Sequence, residues 1–238
     1  MINKDSKQKL DEVVVQAALQ QTESQKQAQA LAPGAAQQQD KPSFVKVSPF
    51  NDYRLEGLKM DPPKELCPHI LVEHETTILF SGPGVGKTAL ATQIAFELAE
   101  QGMRVLVVNF ELSQQQLALR YPNKEFPNTL YHASIDYTKM HDVTDQNLIL
   151  PEIERLAVER NIELIIIDNF TNLCINSKEA AEAGNIMVKL LAMRMTHNWT
   201  MLILAHVPKR KQGDPLTIDD LAGSKLLSNL ADNVIGFN

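Results

Sequence analysis

Short apolar runs alternate with longer amphipathic stretches from about residue 76 onward. Runs that stay apolar on successive positions are typical of strands buried in a parallel sheet, because both faces of such a sheet are covered. We therefore predict six strands, at residues 78–81, 104–111, 130–134, 163–168, 200–207 and 233–237.

The stretches between these runs have helical spacing. One of them carries apolar residues four positions apart, at Leu90, Ile94 and Leu98. Gly102 follows as a stop signal, and Ser113 with Gln116 has the spacing of a capping box that begins a further helix. Helices are thus predicted at 87–101, from 113, and at 150–161, 185–197 and 224–230. Repeated strand–helix units predict an α/β fold, a mostly parallel twisted sheet with helices on both faces and ligands at the carboxyl ends of its strands.

The first 75 residues differ from this pattern. Residues 1–43 lack aromatic residues, and the first 40 hold ten glutamines, so we expect a disordered or partly helical polar tail. A short amphipathic helix within it is the alternative, from Leu10, Val13, Val14 and Ala17. Several prolines interrupt residues 44–75, which we interpret as a lead-in segment before a core at 76–238.

Composition limits the function classes. The 238 residues are 44% hydrophobic, which suits one α/β core with an appendage. A formal charge of −6 argues against sequence-independent coating of duplex DNA. Cys67 and Cys174 are far apart and without metal-ligand spacing, so we predict neither a zinc site nor a disulfide. With no signal-like or membrane-spanning apolar stretch, we expect a cytoplasmic protein without membrane contact.

A glycine-rich stretch joins the first predicted strand to the first predicted helix. It reads Ser-Gly-Pro-Gly-Val-Gly-Lys-Thr, and its spacing is that of a phosphate-binding P-loop, although Ser81 stands where glycine is usual. Lys87 would contact the β- and γ-phosphates of ATP, and the Thr88 hydroxyl would bind Mg²⁺. A glycine loop without a ligand is the alternative. The predicted nucleotide-binding residues are Ser81, Gly82, Pro83, Gly84, Val85, Gly86, Lys87, Thr88 and Ala89.

Polar residues stand at or near the carboxyl ends of three other predicted strands. Asp168 is a candidate for the Mg²⁺-side carboxylate, or an acid that merely ends a strand. Glu111 is a candidate base for the attacking water. The alternative is that its charge interacts favourably with the dipole of the helix that begins at residue 113. His206 is a candidate γ-phosphate sensor, or a structural histidine. Asn169 would orient water or phosphate, or only begin a turn.

Two later loops carry basic or small residues. Lys209, Arg210 and Lys211 form a tight basic cluster, for which a solvated charge run is the ordinary interpretation. The alternative is contact with a polyanion or a neighbouring subunit. A second loop holds the further nucleic-acid candidates Gly223, Ser224 and Lys225.

Five segments in a fixed order carry a family resemblance: SGPGVGKT, VVNFELS, LIIIDN, LILAHVPK and DLAGSKLLSNLADNVIGF. Together they resemble the RecA-like P-loop ATPases, and look most like the branch of RepA-type and DnaB-type hexameric replicative helicases. The resemblance covers residues 66–238. It implies that Glu111 is the general base, Asp168 the Mg²⁺-side carboxylate and His206 the γ-phosphate sensor. It also implies that the loop 223–225 lines a channel for single-stranded DNA.

The resemblance further implies a homo-oligomeric ring with ATP sites between subunits, each completed by a neighbour's basic residue. In the family that residue follows the last strand, whereas this sequence stops at Asn238. We therefore expect that Lys209 or Arg210 substitutes, that a partner supplies the charge, or that the chain is incomplete. The expected function is a helicase-like ATPase acting on single-stranded DNA in replication or mobile-element maintenance. The alternatives are a nucleotide-gated assembly or loader protein and, less well supported by the sequence, a small-molecule kinase.

Overall fold

The computed structural model describes residues 45–139, 148–174, 180–207, 216–221 and 225–237. The chain divides into two compact units, Met1–Met60 and Asp61–Asn238. In the first unit, helix α1 (Phe50–Gly57) begins after Pro49 and has no buried residue. The sequence pattern did not predict this helix, and the three-part division at residues 43 and 75 stays a prediction.

The second unit begins with a two-stranded antiparallel hairpin, β1 (Glu65–Cys67) and β2 (Leu71–Val72). The strands of the main sheet are β3 (Thr76–Ser81), β4 (Val105–Asn109), β5 (Leu130–Ser134), β6 (Leu164–Asp168), β7 (Thr200–His206) and β8 (Asn233–Gly236). Its helices are α2 (Lys87–Glu100), α3 (Gln114–Arg120), α4 (Ile149–Glu159), α5 (Phe170–Leu173), α6 (Ala180–His197) and α7 (Lys225–Leu230).

All six main strands are parallel, in the order β5-β4-β6-β7-β3-β8. The register sets Ser81 beside His206 and Asn109 beside Asp168, and it pairs Ile167 with Ile203. The pair β3 and β7 therefore ends about two residues beyond the pair β4 and β6. Because parallel strands all present their carboxyl ends at one edge, the polar residues that terminate them are gathered there.

Alternate residues of the strands pack into two hydrophobic clusters, one on each face of the sheet. On one face, Leu164 and Ile166 pack with α2, which buries Ala91, Ile94, Ala95 and Leu98. On the other, Ile165 and Ile167 pack with α4 and α6, which bury Leu150, Ile153, Met187 and Leu190. This two-sided burial explains why the inner strands β4, β6 and β7 are almost continuously apolar, and it confirms the predicted fold class.

All six predicted strands and five predicted helices are present. Most bounds agree with prediction to within two residues, and β4 ends at Asn109, two residues before the predicted end at 111. The largest difference is in α6, which begins at Ala180 and not at residue 185. β4 ends early because the Asn109 side chain accepts hydrogen bonds from the backbone N–H groups of Glu111 and Leu112. None of the helices in the described ranges is long and apolar enough to span a membrane.

Candidate active site

The glycine loop lies between the end of β3 and the start of α2. Gly84 has φ 77° and Gly86 has φ 113°, conformations that side chains disfavour. Gly86 is the N-cap of α2, and its carbonyl accepts the first helical hydrogen bond from Leu90 at 3.0 Å. The loop therefore ends on the N-terminus of a fourteen-residue helix, where backbone N–H groups and the helix dipole favour an anion.

Lys87 is a buried cation without a close counter-ion. Its ammonium donates to Ser81 O at 2.9 Å, Ser81 Oγ at 3.2 Å and Gly82 O at 3.0 Å, and the residue is 5% exposed. No carboxylate of the described residues forms an ion pair with it. Burial lowers the pKa of Lys87, although Glu111 and Asp168 oppose that shift. A phosphate group would supply the anion that this ammonium lacks, so the residues present fit the predicted ligand.

Asp168 and Thr88 meet at the same edge. Thr88 lies near enough to Asp168 to act on the pKa of its carboxyl group, and Asp168 is 4% exposed. Burial raises the pKa of Asp168, and Glu111 adds to this, while Thr88, His206 and Lys87 oppose it. The described residues contain no cluster of three or more His, Cys, Asp or Glu side chains suited to a metal. A hydroxyl beside one carboxylate fits Mg²⁺ that takes its other ligands from phosphate and water.

Glu111 lies two residues beyond β4 and contacts residues from two other strand ends. His206 Nε2 lies 2.9 Å from Glu111 Oε1, and Asn169 Nδ2 donates to the same oxygen. Asn169 is buried, and its Oδ1 also caps α5 by accepting from Asn172 N at 3.0 Å. Among the described residues, both hydrogen bonds to the Glu111 carboxylate thus end on Oε1, which leaves Oε2 for water.

His206 ends β7 beside Ser81 and is 31% exposed on its side chain. Its Nδ1 atom is buried and has no hydrogen-bond partner among the described residues. The structure therefore brings Lys87, Thr88, Glu111, Asp168 and His206 to one edge of the sheet, as the strand-end pattern predicts. Their roles in chemistry stay predictions.

The sequence pattern missed Asn109 and His132. Asn109 is buried, holds two backbone N–H groups of the turn that carries Glu111, and contacts His132 Nε2 at 3.2 Å. Desolvation lowers the pKa of His132. The sequence does hold one indication of Asn109, because it is a polar residue at the end of an apolar strand and two residues before Glu111. His132 is brought close only by the pairing of β5 with β4.

The two predicted nucleic-acid loops lie largely outside the residues that the structure describes. Lys209, Arg210, Lys211, Gly223 and Ser224 lie outside the described residues. Lys225 begins α7, but its side chain also lies outside the described part of the chain. The assignment of these loops to nucleic acid stays a prediction.

The chain is similar to known protein families and structures. Residues 40–212 match the family described as an AAA domain (AAA_25). The DNA repair protein RadA from Synechocystis is 30% identical over 172 residues, which cover 67% of this chain and 32% of RadA. RadA from Campylobacter jejuni is 27% identical over 174 residues, covering 70% and 34% respectively. The chain thus spans about a third of the length of these relatives.

A solved structure supports the fold. A KaiC-like protein from the hyperthermophilic archaeon Pyrococcus horikoshii superposes with a TM-score of 0.53 at 18% identity. The match covers 69% of this chain and 71% of that protein. At this identity the likeness concerns the fold alone, and it agrees with the RecA-like arrangement of a P-loop beside a six-stranded parallel sheet.

Proposed function

Because the chain belongs to the AAA_25 family of AAA domains, a RecA-like P-loop domain, we propose that it binds ATP with Mg²⁺ and hydrolyses ATP. The observation that carries this proposal is the buried Lys87 ammonium at the N-terminus of α2. Among the described residues, its hydrogen bonds go to oxygen atoms of Ser81 and Gly82. Thr88 and Asp168 lie at the same edge of the sheet. A buried cation beside a helix N-terminus favours a polyanion such as a triphosphate.

In the proposed reaction, water attacks the γ-phosphorus, the bond to the β-phosphate oxygen breaks, and ADP and phosphate leave. Glu111 accepts the proton of that water on Oε2, since Oε1 is held by Asn169 and His206. Lys87 leaves the loop carbonyls for the phosphate oxygens. Thr88 and Asp168 would hold Mg²⁺, which would supply positive charge against the negative charge that develops on the phosphate oxygens. His206 senses the γ-phosphate through its Nε2 atom, in competition with Glu111.

The finer proposal is that hydrolysis drives work on single-stranded DNA by a homo-oligomeric ring, as in the RepA/DnaB-type branch. The relatives named as DNA repair proteins support a role on DNA. The basic cluster 209–211 and the loop 223–225 are the proposed contacts. A neighbouring subunit or another partner supplies the additional basic group at each site.

A nucleotide-gated assembly or loader protein is the second candidate. The observation that favours it is the formal charge of −6, which provides no general attraction to a nucleic-acid backbone. In this case ATP controls binding to a protein partner, and DNA does not change the rate of hydrolysis.

The test measures Mg²⁺-dependent phosphate release by the full chain, together with its mass in solution, with and without ATP and a single-stranded oligonucleotide. Hydrolysis that Lys87→Ala abolishes supports the ATPase proposal, whereas full activity in that variant contradicts it. A ligand-dependent ring and salt-sensitive, DNA-stimulated hydrolysis support the helicase-like proposal. A rate of hydrolysis that does not change when DNA is added supports the second candidate, the nucleotide-gated assembly or loader protein.

A further inference from the structure

Asn109 is a buried amide whose hydrogen-bonding positions are all used. Its Oδ1 accepts from the backbone N–H groups of Glu111 and Leu112, each at 2.9 Å. Its Nδ2 donates to Leu112 O at 3.0 Å and approaches His132 Nε2 at 3.2 Å. An asparagine offers two acceptor and two donor positions, so these four contacts fix its side chain in one orientation.

The backbone determines which end of the amide is oxygen. Two N–H donors point at one end, so that end is Oδ1 and the other end is the NH₂ group. His132 therefore accepts a hydrogen bond on Nε2, which carries no proton, and its ring proton lies on Nδ1. His132 lies on β5, the edge strand next to β4. Its contact with Asn109 therefore connects both strands to the turn that carries Glu111.

These contacts hold the main chain of Glu111, while others hold its carboxylate. Phe110 N donates to Asp168 O at 2.7 Å, which fixes the turn from the β6 side as well. Asn169 and His206 reach Oε1 from the neighbouring strand ends. A glutamate has several rotatable bonds, so its free oxygen keeps one position only when both its backbone and its carboxylate are restrained.

We propose that Asn109, braced by His132, is a positioning residue for Glu111. This inference rests on the proposed function, in which Glu111 is the base for the attacking water. The competing explanation is a turn of structural importance only. The two explanations differ in one respect: a positioning residue affects the rate through Glu111 and has no effect once Glu111 can no longer act as a base.

Asn109→Ala removes all four contacts at once. Because a displacement of about 1 Å at a reacting group costs roughly 10²-fold, we expect kcat to fall by about 10- to 100-fold. The KM for ATP changes by less than about twofold, since none of these contacts reaches Lys87 or Thr88. His132→Ala removes one contact of four and lowers kcat by about threefold. His132→Gln restores the rate because its amide oxygen offers an acceptor to Asn109.

The experiment is a double-mutant cycle on ATP hydrolysis by the full chain with Mg²⁺. The rate of hydrolysis is measured as the release of radiolabelled phosphate. Asn109→Ala is measured alone and in a Glu111→Gln background, where we expect a further change below about twofold. The matched control is Asn233→Ala. That asparagine donates to Glu75 Oε2 at 2.6 Å near the opposite end of β3 and touches none of the candidate site. It should leave kcat unchanged.

The outcomes separate the two proposals. A wild-type chain that binds ATP without hydrolysing it overturns the proposed function, and with it the inference. If the wild type hydrolyses ATP but Asn109→Ala retains its kcat, the inference alone fails. An equal loss in the wild-type and Glu111→Gln backgrounds also overturns it, because the turn is then only structural. The His132 variants leave the backbone contacts of Asn109 in place, so they decide the matter if Asn109→Ala does not fold.

Discussion

The two ends of the parallel sheet both collect polar side chains, but they balance charge differently. Near the amino end, Asp232 Oδ2 accepts from Thr76 N at 2.8 Å and lies 3.3 Å from Arg194 Nη1. Arg194 also donates to His74 O. Glu163 Oε2 there accepts from Arg104 N at 2.9 Å. The arginine thus has a carboxylate partner within the chain, and these contacts join loops and strands.

At the carboxyl end, the buried Lys87 and Asp168 form no direct ion pair. Burial shifts both pKa values in the direction that disfavours charge, downward for Lys87 and upward for Asp168. Charges without a direct partner cost stability in the free protein. The difference supports the proposal that the amino end maintains the fold, whereas the carboxyl end binds a ligand that supplies the missing charges. Each prediction below tests one side of this contrast.

The largest effect is expected for Lys87→Ala. The variant loses the cation that contacts phosphate, so kcat/KM for ATP hydrolysis should fall by about 10³-fold or more. Thermal stability should not fall, because removing a buried ammonium without an ion-pair partner offsets the loss of its hydrogen bonds to Ser81 and Gly82. Lys189→Ala on α6 is the control, since Lys189 lies outside the candidate site in an exposed position. A Lys87→Ala chain that melts well below the wild type would show that the ammonium is mainly structural.

Glu111→Gln separates binding from chemistry. The amide cannot accept the proton of water, so kcat should fall by about 10²- to 10³-fold, while titration with a fluorescent ATP analogue shows unchanged affinity. Glu100→Gln, at the exposed end of α2, is the control and should keep full activity. If hydrolysis persists in Glu111→Gln, another residue must act as the base.

At the amino end, Arg194→Ala should reduce stability and leave activity intact. The arginine is 16% exposed, and its partner Asp232 is 39% exposed, so we expect a loss of about 1–2 kcal/mol in the free energy of unfolding. Denaturant titration measures this loss, and phosphate release per folded molecule should stay within about twofold. Arg155→Ala is the control, because Arg155 forms its ion pairs on the exposed surface of α4. Lost hydrolysis in folded Arg194→Ala would contradict the contrast.

The smallest effect concerns Asp168 and pH. Its pKa in the folded chain lies above the ordinary 3.8 because of burial, so the folded carboxylate is disfavoured once the unfolded chain ionises. The contribution of Asp168 to the stability of the wild type therefore falls as pH rises from 3.8 through its raised pKa. Asp168→Asn should melt above the wild type at pH 7 without Mg²⁺ or nucleotide, and the difference should vanish below pH 3.8. A lower melting temperature at pH 7 would show that the carboxylate stabilises the free protein.

Much of the fold and the candidate site could be predicted from the sequence, for a physical reason. Parallel strands buried on both faces must be apolar throughout, so the acids and the histidine at their ends are conspicuous. Lys87 and Thr88 follow from the glycine spacing. The common edge then follows from the rule that parallel strands share their carboxyl ends.

The remainder depends on contacts that no linear pattern encodes. Asn109 acts through a side chain that bonds back to its own turn, which ends β4 two residues early. His132 comes near the site only through the register of β5 with β4. Helix α1 and the β1–β2 hairpin are short, and the prolines around them obscured their pattern.

The most direct test of the central claim is a crystal structure of the full chain with Mg²⁺ and a non-hydrolysable ATP analogue. We predict that Lys87 Nζ leaves Ser81 O and Gly82 O and lies about 3 Å from β- and γ-phosphate oxygens. Mg²⁺ should lie beside Thr88 and Asp168, with a water between Glu111 Oε2 and the γ-phosphorus. An analogue bound elsewhere, with Lys87 still hydrogen-bonded to its own loop, would contradict the account.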